Sequence, residues 1–320
     1  MKQKLHNIPL GTINALTIIS GIITILTFIF SVINLFVRNV FPSAPVIAII
    51  IVLMMCIIIL FLRVRKYRDL ASKRMSYTSK YYRLFTKVTR DTYFDIMHDY
   101  KLKKLDPTIL SNKCISKLQS ILDYLCYIMN SFTEKEVSAC IKLIAYPNAD
   151  EEVIDINNAE LITFCRSTNS QDRGIKDKDT VIRLKDNTDF LEILDESNEK
   201  DYFYQGNLLE YAKSVHQLGR SYHNSNENWQ EHYIGTTIVP IRIEFKLLYH
   251  QKKDDAYHII GFLCVDSLDP DAFTPSQERY NVAVVRSFAD AIYILLSQYR
   301  HYLAKFEKTG SSKEPVLLNK

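Results

Sequence analysis

The chain has 320 residues, 47% of them hydrophobic and 24% charged, with eight glycines and a formal net charge of +4. That charge is unevenly spread: residues 1–62 hold three Lys/Arg and no acid, 63–104 hold thirteen Lys/Arg against four Asp/Glu, and 105–320 carry a net −8. An acidic bulk beside a short basic collar argues against a nucleic-acid reader, so no nucleic-acid partner is expected; a Gly-rich phosphate loop is also absent.

From Gly11 to Val37 the sequence is dominated by Ile, Leu, Phe, Val and Thr, and no charged residue lies between His6 and Arg38. A bilayer core of about 30 Å needs roughly 20 apolar residues in a helix, so this run is long enough to span. A second run, Val46 to Leu62, is closed by Arg63-Val64-Arg65-Lys66, and Pro42 and Pro45 break the chain between the two. The pair predicts a transmembrane hairpin over 1–62, with spans at about 11–37 and 46–62. Lys2 and Lys4 precede the first span and Arg63, Arg65, Lys66 and Arg68 follow the second, whereas the connecting loop offers only Arg38. The positive-inside bias then predicts a multi-pass protein of the cell membrane with both termini cytoplasmic and the lipid bilayer as a partner. Asn14, Thr17, Ser20, Thr24, Thr27, Ser31 and Asn34 line one face of the first span, a pattern that serves helix packing or a pore wall.

Past the second span there is no Gly or Pro before about Tyr100, and Tyr67, Leu70, Tyr77, Tyr81, Leu84 and Val88 recur near helical spacing. The spacing predicts a basic juxtamembrane helix over 63–104 that continues from the span and faces anionic headgroups or a helix bundle. Asp106-Pro107 marks a new helix start, and Ile109 to Met129 carries one broad apolar stripe. The period then turns strand-like in Val137 to Ala145, Glu160 to Ser167, Ile234 to Phe245 and Tyr257 to Asp266. A charged loop is expected at Gln171 to Lys178 and a hairpin loop at His250 to Asp255. A last helix is expected from about Ser276 to Phe306. Its Val285, Phe288, Ile292, Leu295 and Tyr299 step by three and four, which permits a coiled-coil seam in a homodimer or docking on a sheet. The sum is an α+β domain over 105–305, helices on an antiparallel sheet, with a polar tail at 306–320.

The six cysteines (Cys56, Cys114, Cys126, Cys140, Cys165 and Cys264) form no CxxC and no cluster with His, and read as small buried hydrophobes in a reducing compartment. HExxH and GxSxG are absent, and the eight histidines show no metal-ligand spacing. No catalytic module follows the α+β domain in these 320 residues. The chain is therefore expected not to be an enzyme, and no cofactor is named by its residues.

Thr237-Ile238-Val239-Pro240-Ile241 is followed by Ile260-Gly261-Phe262-Leu263-Cys264-Val265-Asp266-Ser267, then Phe273-Thr274 and a helix containing Ala289-Asp290-Ala291. In order and spacing this resembles the second half of a GAF domain, over about 105–305 and most closely over 234–296. The resemblance implies a six-stranded antiparallel sheet with helices on one side and, on the other, a cavity for a small-molecule ligand. The cavity would be roofed by the irregular segment Asp201 to Tyr233. Tyr202, Phe203, Asn207, Tyr222, Asn224, Trp229, Tyr233 and Thr237 are the ligand-binding candidates; filling a second core is the other use for such aromatics. The Asn-Lys-x-Asp motif of cyclic-nucleotide-binding members is missing, as are a bilin-attaching cysteine and a haem arrangement. The expected function is a membrane-anchored cytoplasmic sensor or regulator that signals to its hairpin. The alternatives are a membrane-disrupting effector triggered by ligand-driven clustering, and a dimeric anchor for a partner.

Overall fold

The computed structural model describes residues 24, 27–28, 31, 44–101, 106–145, 157–171, 182–195, 197–226, 228–243 and 258–308. The expected span over 11–37, apart from Thr24, Thr27, Phe28 and Ser31, lies outside them. So do the charged loop after Gln171, the hairpin loop at 250–255 and the tail beyond Lys308.

The chain divides into two units, Met1–Ser72 and Lys73–Lys320. In the first, the described helix α1 (Ala44–Lys101) begins, and every side chain from Ile51 to Leu62 is exposed. Leu60 and Phe61 are 63% and 65% exposed, so this is an apolar surface that no described residue covers. Helix α1 runs on through the basic segment without a break, as the absence of Gly and Pro dictates.

The second unit holds the α+β domain. Helix α2 (Pro107–Thr133) starts where Asp106 Oδ1 accepts from Thr108 N at 2.7 Å and Ile109 N at 3.3 Å, with Pro107 in the first turn. It ends at Glu134, whose φ of 58° breaks the helix and whose N–H donates to Asn130 O. Among the described residues six strands follow: β1 (Ser138–Ala145), β2 (Glu160–Arg166), β3 (Ile182–Arg183), β4 (Phe203–Gln205), β5 (Gly235–Ile243) and β6 (His258–Ser267). Their order is β3-β2-β1-β6-β5-β4 and every neighbouring pair is antiparallel. Helices α3 (Thr188–Leu194) and α4 (Leu208–Gln217) lie in the chain between β3 and β5. The segment 201–233 is therefore not irregular throughout, since it contains β4 and α4. Strands of two or three residues are too short to show a period, and α4 is only ten residues long.

Alternation along the strands makes two cores. On one face Ile141, Val239, Ile241, Leu263 and Val265 pack with the buried stripe of α2, with Phe85 and Ile96 of α1, and with α5 (Glu278–Lys308). Val285, Phe288, Ile292, Leu295 and Tyr299 are all buried here, and the Phe288 ring stacks on Phe85 at 4.0 Å between centroids. The three-and-four seam thus docks on the sheet within the chain. The stretch Pro275–Leu303 is also long and apolar enough to cross a bilayer, but here it is the core helix of the domain. On the other face Cys140, Ile144, Leu161, Ile238, Phe262 and Cys264 are covered by Leu184, Phe190 and Ile193, and by Leu208, Trp229 and Tyr233. Gly261, opposite Leu143, lets β6 approach β1 closely: a Cβ there would lie 2.2 Å from the carbonyl oxygen of Lys142.

Candidate functional site

The second core is not wholly apolar. Toward one end of the sheet it gives way to a cavity of about 30 Å³, space for about two water-sized molecules. The pleat supplies its floor. Residues two apart on β1 (Cys140, Lys142), on β5 (Thr236, Ile238) and on β6 (Cys264, Asp266) point into it, with Arg166 from the end of β2. The β1–β2 register shifts between Ile141 and Lys142, beside the cavity floor.

The roof is built from two chain segments fastened together by short polar side chains. Thr188 Oγ1 accepts from His223 N at 2.8 Å and Thr188 N donates to His223 O at 3.0 Å. Asn187 donates to Arg183 O and to Ser225 Oγ, and its Oδ1 accepts from Ser225 N at 3.1 Å. Asn224 and Asn226 each accept, through their own side chains, the N–H two residues on, at 3.0 Å, which turns the chain tightly over the cavity. Asn224 Nδ2 donates to Tyr233 Oη at 2.6 Å and to Tyr222 Oη at 3.3 Å. The rings of Tyr211, Tyr222, Trp229 and Tyr233 follow one another at 6.0, 5.4 and 5.8 Å, an aromatic wall that braces the roof. Burial pushes the Tyr233 phenol well above the usual range, so it stays protonated as a hydrogen-bonding group.

Charges of both signs meet in this small space. Asp189, in the first turn of α3, is 2% exposed, and burial raises its carboxyl from the usual 3.8 to about 6 against the pull of Lys142. Lys142 Nζ lies 5.2 Å from the centre of the Phe190 ring. Across the floor Asp266 accepts from Thr236 Oγ1 at 2.7 Å. Cys140 and Cys264 are directly opposed on β1 and β6, and the thiols interact. The hydrogen bond from Cys264 first, then Arg166 and Lys142, draws the Cys140 thiol down, while the same contact and burial push Cys264 up. Among the described residues no group of three or more His, Cys, Asp or Glu is placed to hold a metal ion.

Of the eight ligand-binding candidates, Tyr222, Asn224, Trp229 and Tyr233 come together in the roof and its aromatic wall. Phe203 is buried in the same core, edge-on to Tyr211. Asn207 instead caps α4, accepting from Leu209 N and Glu210 N. Tyr202 packs on the helix-side core, with its hydroxyl on Glu278 and its ring under Arg286. Thr237 pairs with Val265, whose side chain lies in that helix-side core, and its neighbour Thr236 is the one that lines the cavity. A shift of one residue along a strand changes the face. Sequence reasoning passed over Cys140, Lys142, Arg166, Asp189, Cys264 and Asp266. The signal was present on two strands: Cys-x-Lys on β1 and Cys-x-Asp on β6 are polar steps of two inside apolar runs.

No family model matches the chain, and no curated protein sequence matches it. Among solved structures it is similar to a type II free methionine-R-sulfoxide reductase from Thermoplasma acidophilum, at 14% identity and a TM-score of 0.33, covering 58% of this chain and 96% of that one. It is also similar to the GAF domain of an Acinetobacter phosphoenolpyruvate-protein phosphotransferase, at 14% identity and a TM-score of 0.31, covering 62% and 93%. At that level of likeness neither says what this chain binds or does.

Proposed function

We propose that the chain is a membrane-anchored regulatory protein rather than an enzyme. Its α+β domain is GAF-like and binds a small polar molecule in the cavity beneath Tyr233. In this reading two spans, over 11–37 and 46–62, hold it in the cell membrane with both termini cytoplasmic. The basic segment 63–104 lies toward the headgroups and couples the domain to the hairpin. The observation that carries the ligand reading is the charge of the cavity: Asp189 and Asp266 face it together with Lys142 and Arg166. An ionised carboxylate as buried as Asp189 opposes folding, and such costs persist where binding needs the group. The anchor is supported by the uncovered apolar surface at 51–62 and by the basic residues that follow it.

Trp229, the sole tryptophan, stands in the aromatic wall, so its emission reports on the roof. Formate, acetate, bicarbonate and glycine, molecules of the few heavy atoms that a cavity of this size admits, are titrated into the full-length protein in detergent, and emission and unfolding are followed. A ligand at a hundred times its Kd raises the unfolding free energy by about 2.7 kcal/mol. A stabilising ligand whose effect is lost in Lys142→Met supports the reading. A panel that leaves both signals unchanged refutes it. Extraction of the chain from membranes by alkaline carbonate alone would refute the anchor.

A further inference from the structure

Cys140 and Cys264 occupy directly opposed positions on the two central strands, and both side chains point to the cavity face. Directly opposed residues of an antiparallel pair have Cα atoms about 4.5–5.5 Å apart, within the span of roughly 4.4–6.8 Å that a disulfide bridges. The chain's other described cysteines are placed differently. Cys114, Cys126 and Cys165 belong to the helix-side core and Cys56 lies in the apolar part of α1. The cavity that the pair lines also holds two cations, Arg166 and Lys142, and two acids, Asp189 and Asp266. Lys142, Arg166 and Asn224 to Asn226 are only half-buried, so the cavity is reached from solvent along that rim.

From this arrangement we propose that Cys140 and Cys264 are a redox-active dithiol, oxidised by hydrogen peroxide that enters the cavity to a disulfide across β1 and β6. Cys140 is the attacking sulfur: its opposed partner Cys264, with Arg166 and Lys142, favours its thiolate against burial and Asp266, and its proton passes to solvent as it attacks. Its sulfur attacks one peroxide oxygen, the O–O bond breaks, and the departing hydroxide takes the Cys264 proton and leaves as water. Cys264, now a thiolate, attacks the Cys140 sulfenic sulfur, the S–O bond breaks, and hydroxide leaves to meet the proton first released. Two thiols lose two electrons and two protons; one peroxide accepts them and becomes two waters. The size of the cavity sets the oxidant class. About 30 Å³ admits a molecule of two oxygen atoms and excludes a tripeptide disulfide. Burial pushes Cys114, Cys126 and Cys165 up to about 12, which leaves them as unreactive thiols at neutral pH. The proposal does not depend on a small-molecule ligand: a chain that binds none would still oxidise here.

The test uses the full-length reduced protein carrying Cys56→Ser, exposed to hydrogen peroxide, denatured and titrated for thiols, then mapped by non-reducing peptide mass spectrometry. The expected result is the loss of two thiols per chain, a Cys140–Cys264 linked peptide, and recovery of both thiols on reduction. Glutathione disulfide at the same concentration leaves all thiols intact. In Cys264→Ser the link cannot form, and dimedone added together with the denaturant labels Cys140 as the sulfenic acid. Retention of every thiol, a link through any other cysteine, equal oxidation by glutathione disulfide, or dimedone on a residue other than Cys140 overturns the proposal. The map of the chain that keeps both thiols decides the matter even where Cys264→Ser fails to fold.

Discussion

Replacing Asp189 with Asn removes one charge from the cavity while keeping the shape and the acceptor for Phe190 N, which Asp189 Oδ1 receives at 2.9 Å. The carboxyl is raised from 3.8 to about 6 in the folded chain, so the folded state binds the proton more tightly than the unfolded one. Stability from this group therefore increases as pH falls through about 6 toward 4, and is lost as pH rises through the same window. Worked through, holding the ionised form costs about 3 kcal/mol at pH 7.5 and under about 1 kcal/mol at pH 4. Asp189→Asn is expected to be the more stable protein at pH 7.5, by up to about 3 kcal/mol, with the gap closing as the pH falls to 4. Urea unfolding of the full-length chain, followed by Trp229 emission at a series of pH values, measures it. A variant less stable at pH 7.5, or a gap that does not change with pH, would show that Lys142 and the roof amides hold the carboxylate better than its burial penalises it.

Three further substitutions probe the frame around the site. Asp106→Ala removes the cap of α2 and should lower stability by about 1 kcal/mol in the same unfolding assay. Gly261→Ala places a methyl group against the backbone oxygen of Lys142, 2.2 Å away, and forces β1 and β6 apart. A loss of about 1–3 kcal/mol is expected, and an unchanged midpoint would contradict the close approach. Phe288→Ala empties the contact with Phe85 and should cost about 3–5 kcal/mol without altering the mass measured by light scattering. A halved mass with little loss of stability would instead mark the seam as a subunit contact.

The amphipathic pattern and the capping chemistry carried much of the fold. Asp106-Pro107, the stripe on 109–129 and the four longest strands stand in the structure within a few residues of their expected bounds, because long periodic segments must hide one face. Strands β3 and β4 and helices α3 and α4 were not legible, being too short for a period and fixed by contacts made elsewhere in the chain. The two uses left open for Val285, Phe288, Ile292, Leu295 and Tyr299 were separated only by packing: a heptad-like step is identical whether the partner is a helix or a sheet. The site divides the same way. The roof over 201–233 was implied by the GAF resemblance, and its aromatics and amides suited a second core as well as a pocket. The floor of Cys140, Lys142, Cys264 and Asp266 needed the β1–β6 register, because residues over 120 positions apart become neighbours only once two strands pair. Composition alone determined the uneven distribution of charge and the apolar runs of the N-terminal segment. Tertiary structure alone decided that Asp189 is buried beside Lys142, since burial belongs to the packed chain and not to the residue.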